Sequence, residues 1–283
     1  MAGFTPILPM GGYTGLKFLD RTAEKQRIAF EKSPMMTREV QHFLENIASA
    51  DTPEKLLSDP LLAKVALGAF GLEGERGKKA FLQRILEQGT DNREAFANRI
   101  ADGRFRKLAK AFGYGNAGGA PVTDPTFAAE IAARYQEMQF EVAIGEQDNA
   151  MRLALNFRRE VPEIVAALTE DSNGWLQILG QQPLRRVVEA AFGLPAAFAQ
   201  IDIDRQVEIL QDKATQLFGE SSARAFGGED AEANIETVLR RFLAREAASG
   251  PAGLSTPAAR ALSLLGGGGG GGASAASLLL ARA

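Results

Sequence analysis

The chain has 283 residues, of which 45% are hydrophobic and 24% charged, enough apolar material for a substantial buried core and too much for disorder throughout. Its formal charge of −3 gives no net attraction to nucleic acid or anionic lipid, so no nucleic-acid partner is expected. With no cysteine in the sequence, disulfides, thiolate nucleophiles and cysteine-ligated metal sites are excluded.

Helix periodicity recurs along the whole chain and strand alternation does not, so the expected fold is all-α: an irregular multi-helix bundle of about nine to twelve helices. Residues 1–15 carry Pro6, Pro9, Gly11 and Gly12 and neither a basic start nor a long apolar run. They read as a flexible leader and not as a secretory signal. No stretch approaches the roughly 18 apolar residues of a membrane span. A protein without a membrane span that begins life in the cytoplasm is therefore expected.

Residues 16–120 are expected to form an N-terminal helical lobe. A first helix over Leu16–Lys32 stops at Ser33-Pro34, because the residue before proline is pushed away from helical angles. Val40, Phe43, Leu44 and Ile47 then mark one buried stripe. Asp59-Pro60 is a helix start, with Asp as cap and Pro at the first helical position. Helices over Glu75–Gln88, from Asp91 with Glu94 in the reciprocal capping position, and after Asp102 complete this lobe. Gly113–Pro121 is a loop rich in glycine and proline and the expected boundary.

Residues 121–248 make the second expected lobe. Asp124-Pro125 opens the longest helix, in which Phe127, Ile131, Tyr135, Met138 and Val142 share a face. The pattern is expected to continue past a phase slip at Gly145, through Met151 and Leu155 to Arg159, until Pro162 kinks or restarts it. Asp171-Ser172-Asn173-Gly174 reads as a turn before Trp175–Leu179 and a helix from Pro183. Asp204, or Asp202 before it, starts a helix with Val207, Leu210, Ala214 and Leu217 that stops at Gly219. A last helix over Ala231–Ala247 has Ile235, Val238, Leu239, Phe242 and Leu243 in one stripe. From 249 to 283 the composition turns to Ala, Gly, Ser and Pro, with glycine at every position from Gly266 to Gly272. That segment is expected to be a disordered tail.

Three helices end alike, at Ala69-Phe70-Gly71-Leu72, Ala111-Phe112-Gly113-Tyr114 and Ala191-Phe192-Gly193-Leu194, with a weaker copy at Ala225-Phe226-Gly227. Glycine just past a helix takes left-handed angles and the following apolar residue folds back on the last turn. The uneven spacing argues against a solenoid. A shared stop signal explains the copies at least as well as duplication of two lobes, in which Leu61–Leu72 would match Pro183–Leu194.

Sites of chemistry are scarce. His42, the only histidine, sits at the edge of a packed stripe and reads as structural. Gly113-Tyr114-Gly115-Asn116-Ala117-Gly118 has the letters of a dinucleotide loop without the preceding strand. Asp202 and Asp204 read as helix caps, and Trp175 as a core anchor. The basic faces at Arg104–Lys110 and at Arg152, Arg158 and Arg159 read as solvated. No catalytic, cofactor-binding or metal-binding residue is assigned, no cofactor is expected, and the protein is expected not to be an enzyme.

The leader and first helix, with Phe4, Gly12, Gly15 to Thr22, Gln26, Phe30 and Ser33-Pro34, carry a resemblance. It continues through Asp59-Pro60, Lys64–Leu72, Phe81–Gly89 and Asn98–Gly113. It resumes at Glu146-Gln147-Asp148, Met151–Glu160, Trp175 and Asp202–Gly219. In these segments, over about residues 4–245, the chain resembles an uncharacterised alphaproteobacterial family, a domain of unknown function encoded among flagellar genes. The resemblance implies a role in flagellar structure, assembly or export, with flagellar proteins as partners and no catalytic residues to transfer. It implies association with the flagellum or export without a cleavable signal peptide, or else a cytoplasmic regulator or chaperone of flagellar components.

Overall fold

The structure, a computed structural model, describes residues 4–169 and 173–249, and among them every regular element is helical. The expected tail beyond Ser249, which instead ends the last helix, and the Asp171-Ser172 half of the expected turn lie outside the described residues. Helix α1 (Gly12–Glu31) and helix α2 (Pro34–Asn46) meet at Ser33-Pro34, as the restriction before proline dictates. Helices α3 (Pro53–Ser58) and α4 (Pro60–Gly68) each open with proline behind a capping side chain. Asp59 Oδ1 accepts from the N–H groups of Leu61 at 2.8 Å and Leu62 at 3.0 Å, satisfying two donors that the first turn leaves unpaired.

Helices α5 (Lys79–Gln88), α6 (Phe96–Arg99) and α7 (Gly103–Phe112) pack against one another beside α3. Then come α8 (Pro125–Gly145) and α9 (Asn149–Ala166). Helix α10 (Gly174–Leu179) leads into α11 (Gln182–Phe192), α12 (Ile203–Phe218) and α13 (Ala231–Ser249). Thirteen α-helices among the described residues exceed the expected number, because short one- and two-turn helices such as α3 and α6 lack a full apolar period to read.

The three full Ala-Phe-Gly segments do close helices. Gly71, Gly113 and Gly193 have φ of 67°, 60° and 72°. Leu72 N–H reaches back to Leu67 O at 2.8 Å and Leu194 N–H to Glu189 O at 2.9 Å, the six-to-one bond of a Schellman end. The fourth copy differs, since Gly227 has φ −122°. All four phenylalanines are buried and fall into two aromatic clusters. Phe112 meets Phe70 at 6.5 Å and Phe127 at 5.3 Å between ring centres. Trp175 lies 5.9 Å from both Phe192 and Phe226.

Several expectations give way to tertiary structure. The long helix does not run on through Gly145: α8 stops there, Asp148 caps α9 by accepting from Met151 N–H at 3.0 Å, and the two pack against each other as a hairpin. The apolar phase slip marks a chain reversal. Pro162 neither restarts nor ends α9, which carries it inside. Asp91 opens no helix. Its Oδ2 accepts from Ala117 N–H at 2.8 Å, and α6 begins only at Phe96. The fifth helix begins at Lys79, not Glu75, with a 3-10 turn over Glu73–Glu75. Leu44 and Val142 are exposed, on the solvent edge of their stripes.

The expected boundary near residue 120 does not separate two cores. Helices α2 and α4 pack on α8, α1 packs on α13, and the buried apolar residues form one continuous cluster through both halves. The leader is anchored too. Pro6 is buried, and the side chains of Gln26 and Gln147 bond to the backbone of Pro6 and Ile7.

Candidate functional site: a charged cleft beside the helical hairpin

Clefts flank the α8–α9 hairpin. One, of about 590 Å³, lies between the turn after α4, the outer face of α8, the middle of α9 and the start of α11. Its walls approach closely because Gly68 leaves room for the ring of Tyr135, where a Cβ would lie within 2.6 Å of it. Gly145 in the same way lets the side chain of Arg152 cross the hairpin turn.

Glu141 and Glu160, which line this cleft, belong to a network of ionisable groups on three helices. Arg159 grips Glu141 through two bonds of 2.9 and 3.1 Å and also contacts Glu160. Lys107 Nζ lies 2.5 Å from Glu160 and 2.7 Å from Glu163, and Arg134 sits 3.7 and 3.6 Å from the same two carboxylates. Glu141 and Glu160 are buried on α8 and α9. Burial raises the Glu141 carboxyl above its ordinary range in spite of Arg159, with Glu137 and Glu160 adding to the rise. Burial pushes Glu160 in the same direction, but Arg159, Lys107 and Arg134 outweigh it and hold that carboxyl low. One carboxylate is thus stabilised by three cations and the other by one.

Two further networks tie the bundle. Buried Glu39 on α2 accepts from Tyr135 of α8 at 2.5 Å and from Lys64 of α4 at 2.7 Å, and burial together with Glu39 raises the Tyr135 phenol far above its usual range. Glu236 of α13 takes Tyr13 and Lys17 of α1, with Arg158 of α9 at 3.5 Å bridging to Asp20 at 2.6 Å.

The residues weighed from the sequence are placed as follows. His42 Nε2 lies 2.8 Å from Asp59 Oδ2, tying α2 to the start of α4. Burial alone raises the Asp59 carboxyl, but Leu62 N–H, His42 and Leu61 N–H together hold it below its usual range. The Gly113–Gly118 loop is fastened to the end of α5: Asn116 Oδ1 accepts from Thr90 N–H at 2.6 Å, and a Cβ on Gly115 would strike the backbone of Glu87–Gly89. Asp202 caps α12 by accepting from Asp204 N–H at 2.9 Å. Trp175 is buried and donates to Ser221 O at 2.9 Å.

The basic faces are less solvated than expected. Arg104 bonds Asp102 and Gly71 O, while Lys107, Arg158 and Arg159 are spent on the ion pairs above. Glu39, Glu141 and Glu160 were missed by sequence reasoning. Each occupies an apolar-stripe position, as in Met36-x-x-Glu39-Val40-x-x-Phe43, and a carboxylate there is the signal that marks a buried ion pair.

Beside the paired Glu141 and Glu160, the cleft is lined by groups of both signs, Glu73, Arg76, Glu146 and Arg152. That pattern suits a polar protein surface better than one anion. Among the described residues no three His, Cys, Asp or Glu side chains gather to hold a metal ion, and no helix is long and apolar enough to cross a membrane.

A family model described as a protein of unknown function, DUF1217, matches residues 69–222. The match begins at the first Ala-Phe-Gly turn and takes in the hairpin and most of the cleft. The crystal structure of protein AGR_C_984 from Agrobacterium tumefaciens is similar in fold, with a TM-score of 0.68 and 25% identity, covering 87% of this chain and 100% of that one. No curated protein matches the chain.

Proposed function

The chain belongs to the DUF1217 family of unknown function, and from that premise we propose that it is a non-enzymatic, flagellum-associated protein acting in flagellar structure, assembly or export through contacts between helices. The observation that carries the binding part of this reading is a division of labour among side chains. The buried carboxylates of the cleft, Glu141 and Glu160, are paired with cations inside the bundle, whereas large apolar side chains stand exposed on helical faces. Ile28 on α1, Met35 and Leu44 on α2, and Ile203 on α12 are 43–50% exposed. Apolar positions on helix surfaces are what a partner helix covers. The flagellar part of the reading rests on the sequence resemblance.

Affinity capture of the tagged chain from motile cells, with fractionation into basal bodies, cytosol and medium, tests it. Flagellar components among the captured proteins and the chain in basal bodies or medium support the reading. Strict cytosolic retention with a bound flagellar subunit turns it into a chaperone or regulator. Capture free of flagellar proteins, in cells that swim normally without the gene, overturns it.

A further inference from the structure

The segment ahead of α1 is held in an unusual way. The side-chain amide of Gln26 pairs with both backbone groups of Ile7, accepting from its N–H at 2.6 Å and donating to its carbonyl at 3.2 Å. Gln147 Nε2 donates to Pro6 O at 2.6 Å. Gln26 is itself buried and fixed by Thr22 Oγ1 at 2.8 Å. Phe4 sets its ring edge on Phe30, 6.1 Å between centres, and Phe30 does the same on Phe140 at 5.7 Å. In the first turn of α1 a Cβ on Gly15 would collide with the Met10 carbonyl, so the absent side chain is what lets the strap lie down.

The body therefore reads this strap as a peptide: by its backbone polar groups, one aromatic ring and a buried proline. Among the described residues no backbone-to-backbone bond ties residues 4–10 to the rest. The outward side chains Ile7 and Met10 are 63% and 47% exposed, leaving much of the strap's apolar area uncovered. Gly11 and Gly12, the latter at φ 66°, join strap to helix through two residues of wide conformational freedom.

We propose that the groove bearing Gln26, Phe30, Phe140 and Gln147 is a peptide-binding site, and that its partner in trans is the same strap from a second copy of the chain. Two copies then exchange residues 4–10 about the Gly11-Gly12 hinge. The identity of the occupant follows from its being the segment the groove already fits. A second copy's strap satisfies each of these bonds and ring contacts unchanged, so exchange loses none of them and is set by concentration. Bringing the copies together also offers cover to Ile7 and Met10. This pairing does not depend on the flagellar reading and stands or falls separately from it.

The test uses full-length chains. Phe4→Ser weakens the strap and leaves the groove intact, and Gln26→Leu with Gln147→Ala spoils the groove and leaves the strap intact. Mixed, the two variants are expected to form a heterodimer by light scattering, while each alone stays monomeric. A mixture that remains monomeric, with both variants folded by circular dichroism, overturns the proposal. If either variant fails to fold, the wild-type chain answers by hydrogen exchange. Excess synthetic peptide of residues 2–11 is expected to speed exchange at the chain's own Ile7 amide, and an unchanged rate overturns the proposal. A fluorescent form of the peptide is expected to bind Phe4→Ser at least about tenfold more tightly than wild type, because the internal competitor is weakened. Equal affinity for the two overturns it.

Discussion

Replacing Arg159 by Met removes a cation from the centre of the cleft network while keeping most of the aliphatic stem. The side chains concerned are 13% exposed for Arg159, 8% for Glu141 and 7% for Glu160, so solvent cannot take over its role. Glu160 retains Lys107 and Arg134. Glu141 loses the cation that binds it in two places, and becomes a buried carboxylate without an ion-pair partner. Breaking a buried pair from one side costs about 3–5 kcal/mol, and we expect Arg159→Met to lose that much stability at pH 8.

The cost should depend on pH with a definite sign. Burial already raises Glu141 in the intact protein, and without Arg159 its folded-state value rises further above the unfolded value of about 4.3. The penalty is therefore complete above the folded value. It shrinks as pH falls toward the unfolded value, since both states then hold the proton. Urea melts at pH 8 and pH 5 measure it, with a loss at pH 5 reduced to about half or less. Removing both partners, Glu141→Leu with Arg159→Met, is expected to recover most of the loss, because no buried charge is stranded. A single-variant loss under about 1 kcal/mol, a loss equal at both pH values, or a double variant no more stable than the single one would refute the argument.

Asp59→Ala removes the cap of α4 and the tie to His42 and should cost about 1–2 kcal/mol at pH 7 in urea melts, whereas Asp59→Asn keeps a capping oxygen and should recover at least half. Because the Asp59 carboxyl is held low, its share of stability is present above the unfolded value of about 3.9 and is lost as pH falls through its lower folded value. Melts carried to pH values below about 3.9 should therefore show the gap between Asp59→Asn and wild type narrowing as pH falls. Phe70→Ala and Phe192→Ala, each emptying one of the two aromatic clusters, should cost about 3–5 kcal/mol. A loss below about 1 kcal/mol would mean that these rings are not packed as described.

Local structure was largely legible in the sequence. The caps at Asp59, Asp102 and Asp124, the prolines behind two of them and the glycine stops at 71, 113, 193 and 219 all act as read, because each depends on atoms within a few residues. Periodic stripes such as Ile235 to Leu243 are buried as read. The failures share a cause. Asp91, Asp59 and Asp102 look alike in sequence, yet Asp91 Oδ2 accepts from Ala117 N–H in a distant loop. Gly145 looked like a slip in one helix because the faces of α8 and α9 are both apolar, and periodicity does not record the direction of the chain.

The candidate site was hardly legible. Lys107, Arg158 and Arg159 stood out in the sequence as parts of basic faces, and they reach acids on other helices, up to 138 residues away for Arg158 and Asp20. Gln26 and Phe4 were noted within the family resemblance, but nothing in their spacing shows that one holds the strap containing the other.

What the sequence determined by itself is the all-helical class, most helix ends and the identity of the buried rings, since propensity, capping and apolar period are local properties that survive in one dimension. Tertiary structure alone decided which carboxylates pair with which cations, that the two halves share one core, and that residues 4–10 lie in a groove. Those outcomes depend on which helix faces are brought together in three dimensions, where a Coulomb pair or an amide-to-backbone bond forms only once packing has excluded water from between its partners.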